Sequence, residues 1–220
     1  RITAGLLEIA REGTDILAIT DDAYFGLQYE DNLLRESMFA RLAGLHPNIL
    51  AVKADGPTKE DYVWGFRMGF VTFGGCDLTD QQYDALTKKL AGIIRSSVSS
   101  SCSLSQNLLL KALAYEGYDA QKAGYRAILE GRYRAMKRKL AGMALPKGLT
   151  PIPFNSGYFM SFYCEGFSAE ALRKKLLYEM GIGTVSLLDR YLRVAFSSVE
   201  EKDIGELCEA IAKAAAELQS

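Results

Sequence analysis

The sequence predicts an α/β protein built from two domains. Two short apolar runs, residues 15–20 and 48–52, alternate with segments of helical spacing. This alternation is typical of a mainly parallel sheet flanked by helices. A strongly charged stretch, residues 119–140, then marks a change of composition, and strand and helix patterns alternate again after it. We therefore predict an α/β domain in residues 1–118 and a second, α+β domain in residues 119–220.

The composition favours a globular protein that binds a small molecule. The chain has 220 residues, with 26 Lys and Arg against 27 Asp and Glu. Such a balanced charge gives no electrostatic basis for binding nucleic acid or a membrane surface. The apolar runs are shorter than the roughly 20 residues of a membrane helix, and no secretory signal pattern opens the chain, so we expect a cytoplasmic location. The four cysteines and the single histidine are scattered, so we expect no metal site.

The first predicted strand, residues 15–20, ends in a group of polar side chains. Its mostly apolar run is the pattern of a strand that is buried on both faces of a parallel sheet. Asp21, Asp22 and Tyr24 follow it directly. Because ligands of open α/β sheets bind outside the carboxyl ends of the strands, we expect these side chains to lie near a ligand.

A turn that contains a lysine separates the next two strand-like segments. Residues 48–52 form the first segment and residues 67–73 the second, with Lys59 between them and Arg67 at the start of the second. A lysine amine can attack a carbonyl carbon, and an arginine can bind an anion through paired N–H donors. The pair therefore favours a small anionic ligand that carries a carbonyl group.

The remaining elements follow from hydrophobic periodicity and turn residues. Helical spacing predicts helices at residues 2–11, 33–43, 79–95, 105–115, 119–140, 168–180 and 199–218. A serine-rich break separates the third of these helices from the fourth. Two further strands are predicted at residues 157–163 and 191–196. In the last strand, period-two alternation places Arg193 on the face opposite Leu192 and Val194.

The order of these residues resembles the second half of class I/II aminotransferases, which are fold type I enzymes that use pyridoxal 5'-phosphate. Asp21 and Tyr24 follow a buried strand, and Lys59 comes 38 residues after Asp21. Arg67 follows eight residues later, and Arg193 lies in a late strand before the last helix. The resemblance covers essentially the whole chain, and the lysine segment is its most specific part. It implies that residues 1–118 are the later part of the large, cofactor-binding domain and that residues 119–220 are the small C-terminal domain.

The resemblance implies a role for each of these residues at the cofactor. Lys59 would form the Schiff base with the cofactor and would move the α-proton of the substrate. Asp21 would pair with the protonated pyridine nitrogen, and Tyr24 would donate a hydrogen bond to the phenolic oxygen. Arg67 would hold the phosphate, with a contribution from Thr58.

Several assignments have competitors or rest on single residues. Lys53 is the rival lysine, but it lies at the end of a strand and lacks the spacing of the family. Asp22 is the alternative partner for the pyridine nitrogen. Arg193 is the candidate for binding the substrate α-carboxylate, with Arg190 as the weaker competitor. The resemblance also places Asn155 close to the substrate.

Two features depart from the family pattern. Hydroxyl side chains often stand one and three residues before the lysine, and here these positions hold Thr58 and Gly56. The first half of the family, with its glycine-containing phosphate loop and the aromatic residue that stacks on the cofactor ring, is absent from the sequence. We therefore expect this stretch alone to bind the cofactor weakly or not at all and to be inactive.

The function that the resemblance implies is amino-group transfer between an amino acid and a 2-oxo acid, as part of amino-acid metabolism. Members of the family work as homodimers, and we expect the same of the full-length chain. One alternative is another fold type I reaction, such as that of a β-lyase, a decarboxylase or a cyclopropane-carboxylate synthase. The other is a non-catalytic sensing domain that has kept the fold.

Overall fold

The computed structural model describes residues 1–219, which divide into two compact units. Unit 1 consists of Arg1–Leu27 and Asn32–Ala120, and unit 2 consists of Gln28–Asp31 and the chain from Gln121 onwards. The assignment of residues 1–118 and 119–220 to a large and a small domain of the family stays a prediction.

Unit 1 is organised around a sheet of three strands in the order β1-β2-β3. Strands β1 (Ile16–Asp21) and β2 (Ile49–Asp55) are parallel, and β3 (Phe70–Gly74) runs antiparallel to β2. Its helices are α1 (Ile2–Arg11), α2 (Met38–Leu42), α3 (Pro57–Glu60), α4 (Asp80–Ser97) and α5 (Ser103–Leu113). The sheet order makes β2 the central strand, so residues on β2 have a strand on either side.

Strand β1 is not buried on both faces, which corrects the sequence prediction. Leu17 and Ile19 are 60% and 66% exposed, and exposure alternates along the strand. The other face of the sheet is covered by α2, because a Cβ at Gly74 would lie 3.0 Å from the Phe39 ring. The apolar run indicated a strand correctly, but burial depends on what covers each face, and in the described residues nothing buries Leu17 and Ile19.

The helices of unit 1 begin at residues that cap them well. Ser37 accepts a hydrogen bond from the N–H of Phe39 at 3.1 Å, so α2 begins at Met38 and is shorter than predicted. Thr79 and Gln82 form a capping box at the start of α4. Helix α4 has no buried residue among those described, and its Ile93 is 59% exposed.

Unit 2 contains an antiparallel sheet of four strands in the order β4-β5-β7-β6. The strands are β4 (Leu149–Pro151), β5 (Met160–Cys164), β6 (Val185–Leu187) and β7 (Tyr191–Val194), and the helices are α6 (Tyr118–Gly142), α7 (Ala169–Met180) and α8 (Ile204–Glu217). The core lies between the sheet and its helices and includes the fully buried residues Phe162, Leu172, Leu176, Leu192, Phe196, Ile204 and Ile211. The sequence pattern missed β4 and β6, because a strand of three residues is too short to show period-two alternation.

Helix α6 begins in unit 1 and continues into unit 2, where one of its faces is buried. Leu129, Tyr133 and Met136 are its buried residues, at the spacing of a single helical face. Tyr133 packs against Tyr29 with 5.0 Å between ring centroids, and Tyr29 donates a hydrogen bond to the Gly157 carbonyl at 2.9 Å. These contacts explain why the short segment around Tyr29 belongs to unit 2. No helix in residues 1–219 combines the length and the apolar character needed to cross a membrane.

Helix α7 begins at a cap that two side chains share. The Ser168 hydroxyl accepts from the N–H of Ala171 at 3.0 Å and donates to Asp189 Oδ1 at 2.6 Å. Asp189 Oδ1 also accepts from the N–H of Glu170 at 2.8 Å. The Ser168 hydroxyl, and after it the Glu170 N–H, lowers the pKa of the Asp189 carboxyl below its ordinary value.

Replacing Asp189 with Asn should therefore destabilise the protein in a way that depends on pH. A carboxyl with a lowered folded pKa stabilises the fold above its unfolded pKa, and this contribution is lost as the pH falls through the folded pKa. We expect D189N to lower the free energy of unfolding at neutral pH, and the difference from wild type to shrink below about pH 4, measured by urea denaturation.

The matched variant is Ser168→Ala, which removes a hydroxyl that does not titrate in this range. It should cost about 0.5–2 kcal/mol and retain much of that cost at acid pH, because the lost bond to Ala171 involves no charge. A D189N deficit that stays constant from neutral to acid pH would contradict the stabilising role of the Asp189 charge.

Candidate active site

The parallel pairing of β1 and β2 brings two loops to the same edge of the sheet. Thr20 pairs with Lys53 and Asp21 with Ala54, so both strands reach that edge at the same level. The N–H of Asp22 donates to the Ala54 carbonyl at 2.9 Å and continues the pairing by one residue. The segments that follow the two strands therefore emerge side by side.

Lys59 lies in the one-turn helix α3, directly after β2. Pro57 occupies the first position of this helix, where its fixed φ suits a helix start and its missing N–H costs nothing. The Lys59 side chain is half-buried, and its Nζ lies 5.8 Å from the centre of the Tyr24 ring. The structure thus brings the predicted nucleophile against the predicted aromatic residue of the neighbouring loop.

The two aspartates at the end of β1 have different surroundings. Asp21 is exposed, and its Oδ1 accepts a hydrogen bond from the N–H of Ala23 at 3.1 Å. Asp22 is half-buried, and its carboxylate accepts a hydrogen bond from the Ser37 hydroxyl. Both carboxylates accept a hydrogen bond, but Asp21 is the more exposed and therefore the more accessible of the two to a ligand.

The segment that precedes Lys59 packs tightly against the chain just before β3. A Cβ at Gly56 would lie 2.8 Å from the Met68 carbonyl oxygen and 3.0 Å from the Gly69 Cα. Thr58 Oγ1 donates to the same carbonyl at 3.4 Å. A side chain does not fit at position 56 without a shift, which explains why this position has no hydroxyl.

Arg67 is exposed and does not open β3 as the sequence pattern suggested. It follows a 3₁₀ turn, Trp64–Phe66, in the left-handed conformation with φ +52°, which a strand residue does not adopt. Its neighbour Met68 is the residue that Thr58 contacts. The two predicted phosphate-binding residues are therefore on backbone segments that touch each other.

Lys53 lies within β2, and its surroundings make it a poor nucleophile. Its ammonium forms an ion pair with Asp55 and lies 5.4 Å from the centre of the Phe25 ring. The hydrogen bond to Asp55 raises the pKa of Lys53 above its ordinary value. Only an unprotonated amine can attack a carbonyl carbon, so this lysine is held in the unreactive form. The ion pair was not predicted from the sequence, although residues two apart on a strand share a face.

Asn155 and Arg193 lie in unit 2, in separate local environments. Arg193 is on β7, paired with Ser161, and its flanking residues Leu192 and Val194 are buried as the alternation predicted. Its guanidinium lies 4.7 Å from the centre of the Phe159 ring, and its Nε is buried without a hydrogen-bond partner in residues 1–219. Asn155 accepts a hydrogen bond from the Ser156 hydroxyl at 3.1 Å.

Unit 2 also contains a cavity of about 900 Å³ between the end of α7 and α8. Apolar residues such as Ile182 and Leu207 line it, together with Asp203 and Glu206. None of the residues predicted from the sequence to act on a ligand lines this cavity.

A sheet edge with a lysine on the segment after a parallel strand is the arrangement of a fold type I enzyme, the class that the sequence predicted. The profile of the family described as aminotransferase class I and II matches residues 4–211. The chain therefore belongs to the class I and II aminotransferase family, and the predicted resemblance is confirmed. No curated protein sequence matches the chain.

Solved aminotransferase structures have the same fold. The α-aminoadipate aminotransferase LysN of Thermus thermophilus, complexed with N-(5'-phosphopyridoxyl)-L-leucine, is 23% identical, with a TM-score of 0.74 over 99% of this chain and 54% of that one. An aminotransferase of Anaerococcus prevotii is 22% identical, with a TM-score of 0.78 over 96% of this chain and 50% of that one. The chain thus spans about half the length of these structures.

The tight contact at Gly56 gives a test of the local geometry around Lys59. Gly56→Ala should lower the free energy of unfolding of the full-length protein by about 1–3 kcal/mol, because the new methyl group overlaps the Met68 carbonyl and displaces α3. The control is Gly65→Ala, because a Cβ at Gly65 meets nothing within 4 Å. Equal stabilities of the two variants in urea denaturation would show that the backbone contact is absent.

Proposed function

We propose that the full-length protein transfers amino groups between amino acids and 2-oxo acids, with pyridoxal 5'-phosphate as its cofactor. The observation that carries the proposal is the position of Lys59, whose Nζ lies 5.8 Å from the Tyr24 ring where β1 and β2 end together. Family membership supports the same reaction class. The proposal concerns the full-length protein because the chain spans about half of its structural relatives.

The side chains that follow β1 and β2 include groups that fit the chemistry of this cofactor. The cofactor presents an aldehyde, a phosphate, a phenolic oxygen and a pyridine nitrogen. Against these groups the chain offers the Lys59 amine, the Thr58 hydroxyl with the Arg67 guanidinium, the Tyr24 phenol and the Asp21 carboxylate. When bound, the cofactor withdraws electrons from the α-carbon of the amino acid through its protonated ring.

Each side chain contributes a separate physical effect. The Asp21 carboxylate would keep the pyridine nitrogen positively charged, since an opposite charge favours protonation. Thr58 and Arg67 would bind the phosphate with a hydroxyl and a planar pair of N–H donors. Lys59 lies on α3 with its Nζ 5.8 Å from the centre of the Tyr24 ring, and its amine would accept and return the α-proton of the substrate.

Arg193 is the proposed partner of the substrate α-carboxylate. A buried N–H without an acceptor costs about 1–3 kcal/mol, and the Nε of Arg193 is such a group. Its guanidinium also lies 4.7 Å from the centre of the Phe159 ring, within the range of a cation–π interaction. A carboxylate would supply the missing acceptor, and its two oxygens match the planar geometry of the donors.

A homodimer is the assembly that we propose for the full-length protein. Helices α4 and α5 and the turn between them carry several strongly exposed apolar residues, among them Ile93, Val98, Leu104, Leu110 and Leu113. Exposed apolar surface of this kind marks protein contacts. A second copy of the chain is the partner that the family relationship favours.

Lys59→Ala should remove both the covalent attachment of the cofactor and the amino-group transfer in the full-length protein. We expect the rate to fall by roughly 10²-fold to 10⁴-fold, because the lost amine is the group positioned to move the α-proton. Borohydride reduction followed by peptide mass spectrometry should locate the cofactor on Lys59 in the wild type and on no residue in the variant.

The control for this experiment is Lys88→Ala, which removes an exposed lysine of α4 and should leave the rate and the attachment unchanged. Cofactor found on Lys53 or on any other lysine of the wild type would reject the assignment of Lys59.

Arg193→Lys should raise KM for the amino acid by about 10-fold to 100-fold with a smaller effect on kcat, because one bidentate bond to the carboxylate is lost. Arg190→Met is the matched variant, since Arg190 is exposed and was the competing arginine in the sequence. Steady-state kinetics of the full-length variants provides the measurement. A larger increase in KM for the Arg190 variant would transfer the role to that residue.

A further inference from the structure

Lys53 is a charged residue on a strand in the middle of a sheet, where its side chain is largely removed from water. It is on the central strand of the sheet, paired with Thr20 on one side and Thr72 on the other. Its side chain is 22% exposed, and that of its ion-pair partner Asp55 is 14% exposed. Such a pair loses much of its hydration, and apolar residues of similar size often replace it at little cost in stability. Stability alone is therefore a weak explanation for a lysine here.

The charge of Lys53 acts on more than Asp55. The carboxylates of Asp22 and Glu60 also interact with it electrostatically, and both belong to the segments that follow β1 and β2. Of the three carboxylates, Asp55 is the one that forms an ion pair with the ammonium group. All of these interactions favour the protonated form, so the charge persists across the neutral pH range.

Lys53 also contacts the loop that carries the proposed cofactor-binding residues. Its Nζ lies 5.4 Å from the centre of the Phe25 ring, an arrangement in which a cation is attracted to the ring face. Asp22 and Phe25 lie at either end of a turn in which the N–H of Phe25 donates to the Asp22 carbonyl at 2.9 Å. Tyr24 lies between them, and Asp21 precedes them directly.

We propose that Lys53 is a positioning residue that holds the loop after β1 in place, so that Asp21 and Tyr24 keep their positions relative to Lys59. This inference rests on the proposed function of those three residues. Lys53 acts through its ion pair with Asp55 and its position at the Phe25 ring, and it does not touch the reacting atoms. The two lysines of the segment thus have separate tasks, since one fixes the loop and the other carries out the chemistry.

The loss of the Lys53 charge has a direct physical consequence. Without it, the Asp55 carboxylate loses its ion-pair partner on the same face of β2. The Phe25 ring loses its cation at the same time. Both changes loosen the turn, and an Asp21 carboxylate that moves away from the pyridine nitrogen holds it less firmly in the protonated state.

The test compares Lys53→Met, which keeps most of the aliphatic stem, with Lys53→Arg, which keeps the charge, in the full-length protein. Hydrogen exchange of the cofactor-free protein reports on the loop directly. We expect the amides of residues 22–25 to exchange at least about tenfold faster in K53M, and K53R to restore the wild-type rate. Lys88→Met is the control for removing a lysine charge and should leave this loop unchanged.

The second measurement is the pH titration of the visible absorbance of the bound cofactor. K53M should shift its midpoint, because Asp21 no longer holds the pyridine nitrogen as firmly, whereas K53R should titrate as the wild type does. Wild-type exchange rates together with a wild-type titration in K53M would overturn the proposal. Faster exchange and a shifted midpoint that K53R does not reverse would also overturn it, because the charge would then not be the cause.

Two further variants keep the proposal testable if K53M does not fold. Phe25→Leu leaves the ion pair intact but removes the ring, and it should also accelerate exchange of residues 22–25; an unchanged rate would contradict the role of this contact. The double variant K53M/D55N removes the uncompensated carboxylate and should recover folding without restoring the absorbance titration.

If cofactor is found away from Lys59, the proposed function fails, while hydrogen exchange still decides whether Lys53 holds the loop.

Discussion

The candidate site depends on the parallel register of β1 and β2. This register is set by backbone hydrogen bonds, and it ends both strands at the same level, so the next residues of each leave the sheet as neighbours. Lys59 and Tyr24 lie on the segments that directly follow these two strands. The register therefore brings the two residues close to each other. A shift of one residue in the register would turn every side chain of one strand to the other face and would separate the two loops. The pairing of β1 and β2 thus determines which loop residues of the candidate site are neighbours.

At this edge of the sheet, each of two lysines lies near one aromatic ring of the loop after β1. Lys53 lies near Phe25 within the sheet, and Lys59 lies near Tyr24 on the helix that follows. Their surroundings differ, because Lys53 forms an ion pair with a carboxylate on the same face of its own strand. The ion pair raises the pKa of Lys53, and Lys59 follows it six residues later on a different element.

The sequence predicted those parts of the structure that depend on local pattern. The strands of unit 1, the long charged helix and the burial of the neighbours of Arg193 all follow from periodicity, and the order of the motif residues identified the family. Contacts between segments that are distant in the sequence could not be predicted from this local pattern. Nothing in the local pattern places Phe25 against Lys53, or the Met68 carbonyl against Gly56, because each pair meets only after the sheet has formed. The roles of the site residues themselves stay predictions.

The close packing at Gly56 restricts which residues this position can hold. Many relatives have a hydroxyl at this position, by the resemblance noted in the sequence, but here the Met68 carbonyl occupies the space that a Cβ would need. A mutation to serine would therefore clash before its hydroxyl could contribute. A substitution that first moved the backbone at residues 68–69 would lower this cost. The stability of a serine variant therefore depends on how closely that segment approaches position 56.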